Sequence, residues 1–232
     1  MTICTRTSVL LAVCVSSLSA ALPAQQPQAS ATAQVSFHFE RPGVSVPKFT
    51  LTVDQAGNAR YEADEVVVAR GGAEADPPPT QHLDRTVTLS KATTDRVFAT
   101  ARALDWFNIA CASKAKNIAD TGAKTLRYTG DDGDGSCTYN YSQDKRVVEL
   151  TDLFEGIAHT LDMGRKLDFQ HRFDRLGLDA STATLVEDVD EGRAVEIGVI
   201  TPTLRSLAQD SEVLQRVRQR AARLLQLAQS PL

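Results

Sequence analysis

Residues 35–53, VSFHFERPGVSVPKFTLTV, contain two runs in which apolar and polar side chains alternate. The first run covers residues 35–40 and the second covers residues 49–53, and Arg41-Pro42-Gly43 interrupts the alternation between them. A period of two residues is typical of a strand with one buried face, and proline and glycine end such strands. The apolar residues of the two runs are Val35, Phe37, Phe39, Phe49, Leu51 and Val53. The stretch therefore predicts two half-buried strands.

The same pattern continues after these strands as a hairpin. Residues 54–58, DQAGN, have the composition of a turn, and residues 61–68 are predicted to return as a third strand. Residues 71–80, GGAEADPPPT, are predicted to form a loop, because successive prolines are incompatible with helix and with sheet pairing. A further short strand is predicted over residues 85–89.

A helix is predicted directly after that strand. Ser90 has the residue type of an N-cap, and the helical period continues to about Leu104. The apolar stripe of this helix is Val97, Phe98, Ala101 and Leu104. Residues 124–129, 136–141 and 146–150 then predict two or three antiparallel strands.

The rest of the chain is predicted to be helical. Thr151 is interpreted as the N-cap of a long helix, and Gly177 as its C′ residue, with Leu178 contacting Phe173 as in a Schellman closure. The helical segments that follow are residues 181–189, a stretch before Pro202, and residues 210–228.

This order of elements predicts an α+β protein with an antiparallel sheet and packed helices. Strands and helices are mixed in residues 34–169, which we interpret as an α+β domain, and residues 170–232 form an all-helical C-terminal segment. Residues 25–33 are rich in Gln, Ala and Ser without periodicity, which predicts a flexible tether.

Residues 1–24 have the features of a secretory signal peptide. Arg6 is the only early charge, an apolar run covers residues 9–15, and small residues follow it. Cleavage is predicted after Ala24, with Ala21 as the alternative. A retained anchor is the competing interpretation, but the apolar run is far shorter than the roughly 20 residues that span a bilayer. The sequence therefore predicts a secreted or periplasmic protein, with no membrane-spanning segment after the signal is removed.

The cysteine count supports the prediction of export. Cys4 and Cys14 would leave with the signal, so that Cys111 and Cys137 remain. A pair of cysteines in an oxidising compartment predicts one disulfide. A reactive thiol or a thiolate metal site is the alternative, but it needs further ligands or a C-x-x-C spacing, and the sequence has neither.

Composition and charge bound the classes of function. The chain has 232 residues, of which 42% are hydrophobic and 23% charged, as in ordinary globular proteins, and this excludes fibrous and wholly disordered classes. Its 25 basic and 29 acidic residues give a net charge of −4, so no strong positive field attracts polyanions. Nucleic acid is therefore not a predicted partner.

The strongest metal candidate in the sequence is the acidic turn that contains Asp131, Asp132 and Asp134. Alternate carboxylates can bind calcium, but the EF-hand pattern fails, because Cys137 and Gln143 stand where glycine and glutamate are required. A solvated hairpin turn is the preferred interpretation, with Ca²⁺ kept as an alternative. No other cofactor is predicted.

A second candidate is a ladder of titratable residues on the long predicted helix: His159, Asp162, Arg165, Asp168, His171 and Asp174. Each step of three residues shifts the side chain by about 60° around a helix of 3.6 residues per turn, so only neighbouring members of the ladder can be in contact. His171 is a weak metal candidate that would need a further ligand, and it could form a local pair with Asp168 or Asp174, although solvated pairs three residues apart are the common case.

Basic residues form a cluster near the C-terminus, at Arg216, Arg218, Arg220 and Arg223. A solvated helix face is the simplest interpretation, and the alternative is a face that binds an acidic protein surface or an envelope polymer.

Two stretches resemble known families. Pro47-Lys48-Phe49 and the following strand, with Gly57 and Tyr61, resemble a family of small exported bacterial domains of unknown function. Val46 stands where that family carries a cysteine. The resemblance implies the fold and export, and it implies no catalytic residue. Residues 203–225 resemble one HEAT-type helix pair, and we expect this single hairpin to pack on the sheet domain.

The sequence lacks the G-x-S-x-G, H-E-x-x-H and glycine-rich nucleotide-binding motifs. The preferred hypothesis is therefore an exported binding or interaction module with an unknown ligand. The alternative is a cell-envelope hydrolase whose residues converge from separate loops, and a third hypothesis is that residues 170–232 dock a second copy or subunit. A pocket with convergent histidine and carboxylates would favour the enzyme.

Overall fold

The computed structural model describes residues 32–67 and 79–229. The predicted signal peptide, residues 1–24, lies outside these residues. Residues 25–31 of the predicted tether and residues 71–78 of the predicted loop lie outside them as well.

The described strands form one antiparallel sheet of six strands in the order β4-β3-β2-β1-β5-β6. The strands are β1 (Gln34–Glu40), β2 (Lys48–Asp54), β3 (Asn58–Val66), β4 (Thr80–Thr88), β5 (Ala123–Gly130) and β6 (Gly133–Tyr139). The sequence prediction of β1 and β2 is confirmed, whereas β3 and β4 begin earlier than predicted. The reason is that β3 and β4 pair along their whole length, so backbone hydrogen bonding extends both strands into polar residues.

The alternation of apolar residues places the core on one face of the sheet. Phe37 lies opposite Leu51 on β2 and Leu126 on β5, and all three side chains are fully buried. The other face carries polar cross-strand pairs, such as the hydrogen bond of 2.9 Å between His38 Nδ1 and Thr50 Oγ1. The sheet therefore needs a helical layer on one side only.

The helices are α1 (Lys91–Ala103), α2 (Lys145–Phe173), α3 (Gly177–Asp190), α4 (Thr201–Gln209) and α5 (Gln215–Gln229). Short 3₁₀ turns occur at Asp105–Phe107 and Ile197–Ile200. The described part of the chain is thus an α+β fold, as predicted from the sequence. No helix in residues 32–67 and 79–229 is long and apolar enough to cross a membrane.

Helix α2 crosses the inner face of the sheet and organises the core. Its Thr151 contacts Tyr139 on β6, and the Phe154 ring stacks on Phe37 of β1 with centroids 5.3 Å apart. Asp162 then reaches β3. Eleven helical steps from Thr151 to Asp162 span about 16 Å, and the four strand spacings from β6 to β3 span about 19 Å. The helix therefore runs across the strands rather than along them.

The beginning of α2 corrects two sequence predictions. Residues 146–150 belong to the helix and not to a strand, and Asp144 rather than Thr151 is the N-cap, since its side chain accepts a hydrogen bond of 2.9 Å from the Arg146 amide. Thr151 lies inside the helix and donates to the Val147 carbonyl. The apolar residues of the short segment 146–150 fit the helical period that continues to Phe154, and tertiary packing decides between the two periods.

The end of α2 corrects a third prediction. The helix ends at Phe173, and Gly177 begins α3 instead of closing α2. The predicted Schellman closure does not form. Phe173 is 73% exposed, whereas Leu178 is fully buried among the C-terminal helices. Asp174 is the C-cap residue, and its amide donates to the Gln170 carbonyl.

Helices α4 and α5 form the predicted hairpin. Their buried residues pack with Leu167 of α2, which lies within the predicted α+β domain, and with Leu178 and Leu185 of α3. Helix α5 begins at Gln215, five residues later than predicted, because Asp210 instead accepts hydrogen bonds in the preceding turn. The described residues, 32–67 and 79–229, belong to one compact unit, and α2 runs without interruption through residues 169 and 170.

A strained turn follows α1. Asp105, Trp106 and Phe107 have φ values of 52°, 51° and 70°, in the left-handed region that residues with a Cβ rarely occupy in succession. Two glycines of β6 make room for this turn: a Cβ on Gly133 would lie 2.4 Å from the Trp106 ring, and one on Gly135 would lie 2.4 Å from the Trp106 carbonyl oxygen. The turn and the hairpin of β5 and β6 are therefore packed backbone to backbone.

We expect Gly135→Ala to destabilise the protein by about 1–3 kcal/mol, because its Cβ would meet rigid backbone. Gly198→Ala is the matched control, since a Cβ at Gly198 meets nothing within 4 Å. Thermal and urea unfolding of the two variants measure the difference. Equal stability of the variants would contradict the close approach at Trp106.

The predicted disulfide between Cys111 and Cys137 is present, with their Cα atoms 5.9 Å apart. It joins the loop after the strained turn to β6 across a sequence separation of 26 residues. Both cysteines are buried in the sheet core. The bond therefore fixes the loop segment against a strand.

We expect the double variant Cys111→Ala, Cys137→Ala to lose about 3 kcal/mol of unfolding free energy, because closing a loop of this length restricts the unfolded chain. Urea unfolding of the wild type with and without reductant provides the comparison. The reduced wild type should have the same unfolding free energy as the double variant. If the reductant also lowers the unfolding free energy of the double variant, its effect does not come from this disulfide.

Candidate functional site

A cleft of about 540 Å³ lies where α2 passes beyond the sheet. Its walls are the end of β3, the loop between β1 and β2, and one face of α2 from His159 to Phe169. The titratable residues that line it are Glu65, His159, Asp162, Arg165 and Lys166. The cleft therefore brings a histidine, two carboxylates and two cations to one place.

Asp162, which lines the cleft, is bound by the buried Tyr61 of β3. The Tyr61 hydroxyl donates to both carboxylate oxygens of Asp162, at 3.1 and 3.2 Å. Burial raises the pKa of Asp162 to about 6, against the lowering effects of the Tyr61 hydrogen bond and the Arg165 charge. Burial, followed by the charge of Asp162, also raises the pKa of Tyr61. Asp162 can thus hold or release a proton near neutral pH.

Arg165 and Glu65 form an ion pair beside Asp162. Each side chain is 25% exposed, so the pair is partly shielded from water. The Nε atom of Arg165 is buried and has no hydrogen-bond partner among the described residues. A buried donor without a partner is costly, and a ligand oxygen in the cleft would satisfy it.

His159 is held by a carboxylate from α3. Its Nε2 atom lies 2.8 Å from Oδ2 of Asp188, whose side chain is only 6% exposed. Arg193 donates to the other oxygen of Asp188. Burial acts to raise the pKa of Asp188, but the hydrogen bonds from His159 and Arg193 outweigh it and lower that pKa. The arrangement fixes the imidazole ring at the rim of the cleft.

The remaining wall combines apolar surface with an unpaired cation. Val46, Met163 and Phe169 line the cleft together with Asp162. Lys166 is exposed and makes no hydrogen bond or ion pair with the part of the chain that the structure describes. The cleft therefore offers a free positive charge next to apolar side chains.

A neighbouring cleft of about 610 Å³ shares Ser45 with this one. It is lined mainly by the loop of residues 42–47 and by Val66 and Thr80. Its surface is largely apolar, and we place the functional site in the smaller cleft, because the buried titratable groups converge there.

The predicted acidic turn is engaged in structural contacts. Asp132 accepts hydrogen bonds from Arg102 and Tyr128, and Asp134 lies 3.6 Å from Arg127 Nη2. Asp131 belongs to the same turn. No group of three or more His, Cys, Asp or Glu side chains that could hold a metal ion occurs within residues 32–67 and 79–229.

His171 pairs with a residue from outside the ladder. Its Nε2 atom lies 2.8 Å from Oδ2 of Asp210, and Nη2 of Arg175 lies 3.4 Å from the same oxygen. The turn before α5 brings Asp210 against α2, a contact between residues 39 positions apart. The pair joins α2 to the C-terminal hairpin.

The arginine cluster of α5 is mostly neutralised within the protein. Arg216 and Arg220 both bind Asp179, and Arg223 binds Asp190. These acids lie on α3, which packs beside α5. The positive face considered from the sequence is therefore largely an internal ion-pair network between two helices.

Sequence reasoning missed the contacts that build the cleft. Tyr61 and Asp162 are separated by 101 residues, and Glu65 and Arg165 by 100. The ladder on the long helix contained His159, Asp162 and Arg165 but gave no sign of their partners. A face of α2 with titratable residues at helical spacing, extending from an apolar stripe, was the available signal.

No protein-family model matches the chain, and a search of curated proteins found none with significant similarity. The fold and site therefore define the class: an α+β protein in which one helix crosses an antiparallel sheet and forms a polar cleft at its edge. The two resemblances noted in the sequence stay predictions.

We expect the Asp162 carboxyl to titrate with a midpoint of about 6 in a ¹³C NMR pH titration of the folded protein. Since the folded pKa is raised above the unfolded one, the stabilisation is complete below the unfolded pKa near 4 and is lost as pH rises through 6. The wild type should therefore lose stability between pH 4 and 6 relative to Asp162→Asn. A midpoint below 5 would contradict the burial of this carboxyl.

Proposed function

We propose that the protein is an exported binding module whose ligand carries an anionic group next to an apolar part. The observation that carries this proposal is the free charge of Lys166 beside Val46, Met163 and Phe169 in one cleft. A site with an unpaired cation and an apolar wall is complementary to such a ligand.

The buried Nε of Arg165 supports an acidic oxygen as the partner. Glu65 accepts a hydrogen bond from Nη2 of this guanidinium, and Nε has no partner among the described residues. A ligand carboxylate or phosphate that accepts from Nε and from Lys166 would complete the hydrogen bonding of both cations.

Export is supported by the signal-like residues 1–24 and by the disulfide between Cys111 and Cys137. Disulfides persist in secreted and periplasmic compartments, where thiols are not kept reduced. The proposed location is therefore outside the cytoplasm, in the periplasm or the medium.

A second candidate function is a cell-envelope hydrolase. The observation that favours it is the convergence of His159, Asp162 and Glu65 in one cleft. A pocket with convergent histidine and carboxylates is the feature that favours the enzyme hypothesis. Two carboxylates in different environments can divide the roles of acid and base. In this alternative Asp162, with its raised pKa, donates a proton to the leaving group, while Glu65 takes a proton from the attacking water.

The test of binding uses octanoate and hexyl phosphate as probes. Acetate, which lacks the long apolar chain, and octanol, which lacks the charge, are the controls. We expect the two amphiphilic anions to shift the amide NMR signals of Val46, Lys166 and Phe169, whereas acetate and octanol bind at least tenfold more weakly. Lys166→Ala should weaken the anions about tenfold, since one charge-assisted contact is lost.

The matched control is Lys116→Ala, which removes an exposed cation outside the cleft. Equal binding by the Lys166 and Lys116 variants would overturn the proposed site. Turnover of chromogenic ester or glycoside substrates that disappears in Asp162→Asn would replace the binding module with the hydrolase.

A further inference from the structure

Asp162 is the carboxyl of the cleft that has no ion pair within residues 32–67 and 79–229. The other carboxyl that lines the cleft, Glu65, is paired with Arg165. The hydrogen bonds that Asp162 accepts from these residues come from the Tyr61 hydroxyl, which carries no charge. Ionising a partly buried carboxyl without a paired cation is costly, so the surroundings of Asp162 favour the neutral acid.

The cations of the cleft are neighbours of Asp162 on α2. Asp162 precedes Arg165 by three residues and Lys166 by four, and side chains at these spacings share a helix face. All three residues line the cleft. An anionic oxygen that accepts from the unpartnered Nε of Arg165 and lies near Lys166 is therefore placed beside the Asp162 carboxyl.

The net charge of the cleft depends on the protonation of Asp162. The acidic residues that line it are Glu65 and Asp162, and the basic ones are Arg165 and Lys166. With Asp162 ionised and His159 neutral, these charges cancel, and the lining has no net attraction for an anion. Protonation of Asp162 leaves one positive charge in excess, which a ligand with a single negative charge neutralises.

We propose that Asp162 binds the anionic group of the ligand as a carboxylic acid, so that the cleft takes up one proton together with each monoanion. This inference rests on the proposed binding function and names the residue that makes binding depend on pH. The acid donates its proton to a ligand oxygen, while its other oxygen still accepts from the Tyr61 hydroxyl. An ionised Asp162 has no proton to donate and would repel the ligand.

The other titratable groups around Asp162 come from two elements. They are Tyr61 and Glu65 on β3 and His159, Arg165 and Lys166 on α2. Helix α3 acts on the cleft through Asp188, which holds His159. The loop of residues 42–47 contributes Ser45 and Val46, which do not titrate. Histidine is a second residue type whose charge changes between pH 5 and 8, so the experiment separates His159 from Asp162.

The direction of the pH dependence follows from linkage. Burial raises the pKa of Asp162 to about 6 in the protein without ligand. A bound anion raises this pKa further, because a neighbouring negative charge disfavours ionisation. Affinity is therefore highest below the pKa of the free protein, and it falls as pH rises from that pKa towards the pKa of the complex.

The experiment is isothermal titration calorimetry of octanesulfonate with the chain from residue 25 onward, at pH 5.5 and pH 7.5. This probe has an apolar chain and stays a monoanion over the whole range. We expect wild-type affinity to be about tenfold lower at pH 7.5 than at pH 5.5. Titrations at pH 7 in buffers of different ionisation enthalpy should show uptake of more than about half a proton per ligand bound.

Three variants assign the proton to its residue. Asp162→Asn keeps a hydrogen-bond donor but cannot ionise, so its affinity should be the same at both pH values. Asp168→Asn is the matched control, since it makes the same change on α2 at a residue that does not line the cleft. Asp168→Asn and His159→Asn should both keep the wild-type pH dependence.

Equal wild-type affinity at the two pH values, without proton uptake, would overturn this inference and leave the proposed binding function intact. The inference would also fail if the pH dependence persisted in Asp162→Asn or disappeared in His159→Asn. Absence of octanesulfonate binding at both pH values would overturn the proposed function and this inference together. The proton uptake of the wild type decides the question even if a variant does not fold.

Discussion

The contact of α2 with the inner face of the sheet is the interaction on which the rest of the structure depends. Thr151, Phe154 and Asp162 meet β6, β1 and β3 in turn, so a single helix covers the width of the core. Burial of aromatic and aliphatic side chains along this contact is the dominant stabilising contribution, as in other two-layer folds. The direction of α2 across the strands then decides where its polar residues lie.

The cleft is a consequence of that direction. Beyond Ala158 the helix still buries Leu161 in the core, but its face toward the end of β3 carries the polar residues Asp162 and Arg165. Asp162 and Arg165 find partners on β3, and His159 finds Asp188 on α3. The titratable groups of the cleft are therefore held by contacts among α2, β3 and α3.

The same helix also carries the second layer of the molecule. Met163 and Leu167, which follow the sheet contact, begin the hydrophobic cluster that buries α3, α4 and α5. Ion pairs between α3 and α5 and the His171 pair with Asp210 add specificity to this packing. Phe169 and Phe173 of the same helix are exposed and take no part in this cluster.

The sequence by itself determined the fold class, the core strands, the first helix and the disulfide. Alternation in residues 35–53, the Ser90 cap and the pairing of Cys111 with Cys137 are local or count-based signals, and they survive folding unchanged. The helical identity of residues 146–150 and the partners of Asp162 and His171 were decided by tertiary structure. A five-residue segment fits two periods equally well, and the contacts of Asp162 join residues about a hundred positions apart. Such contacts depend on the path of α2 over the sheet, which no local pattern encodes.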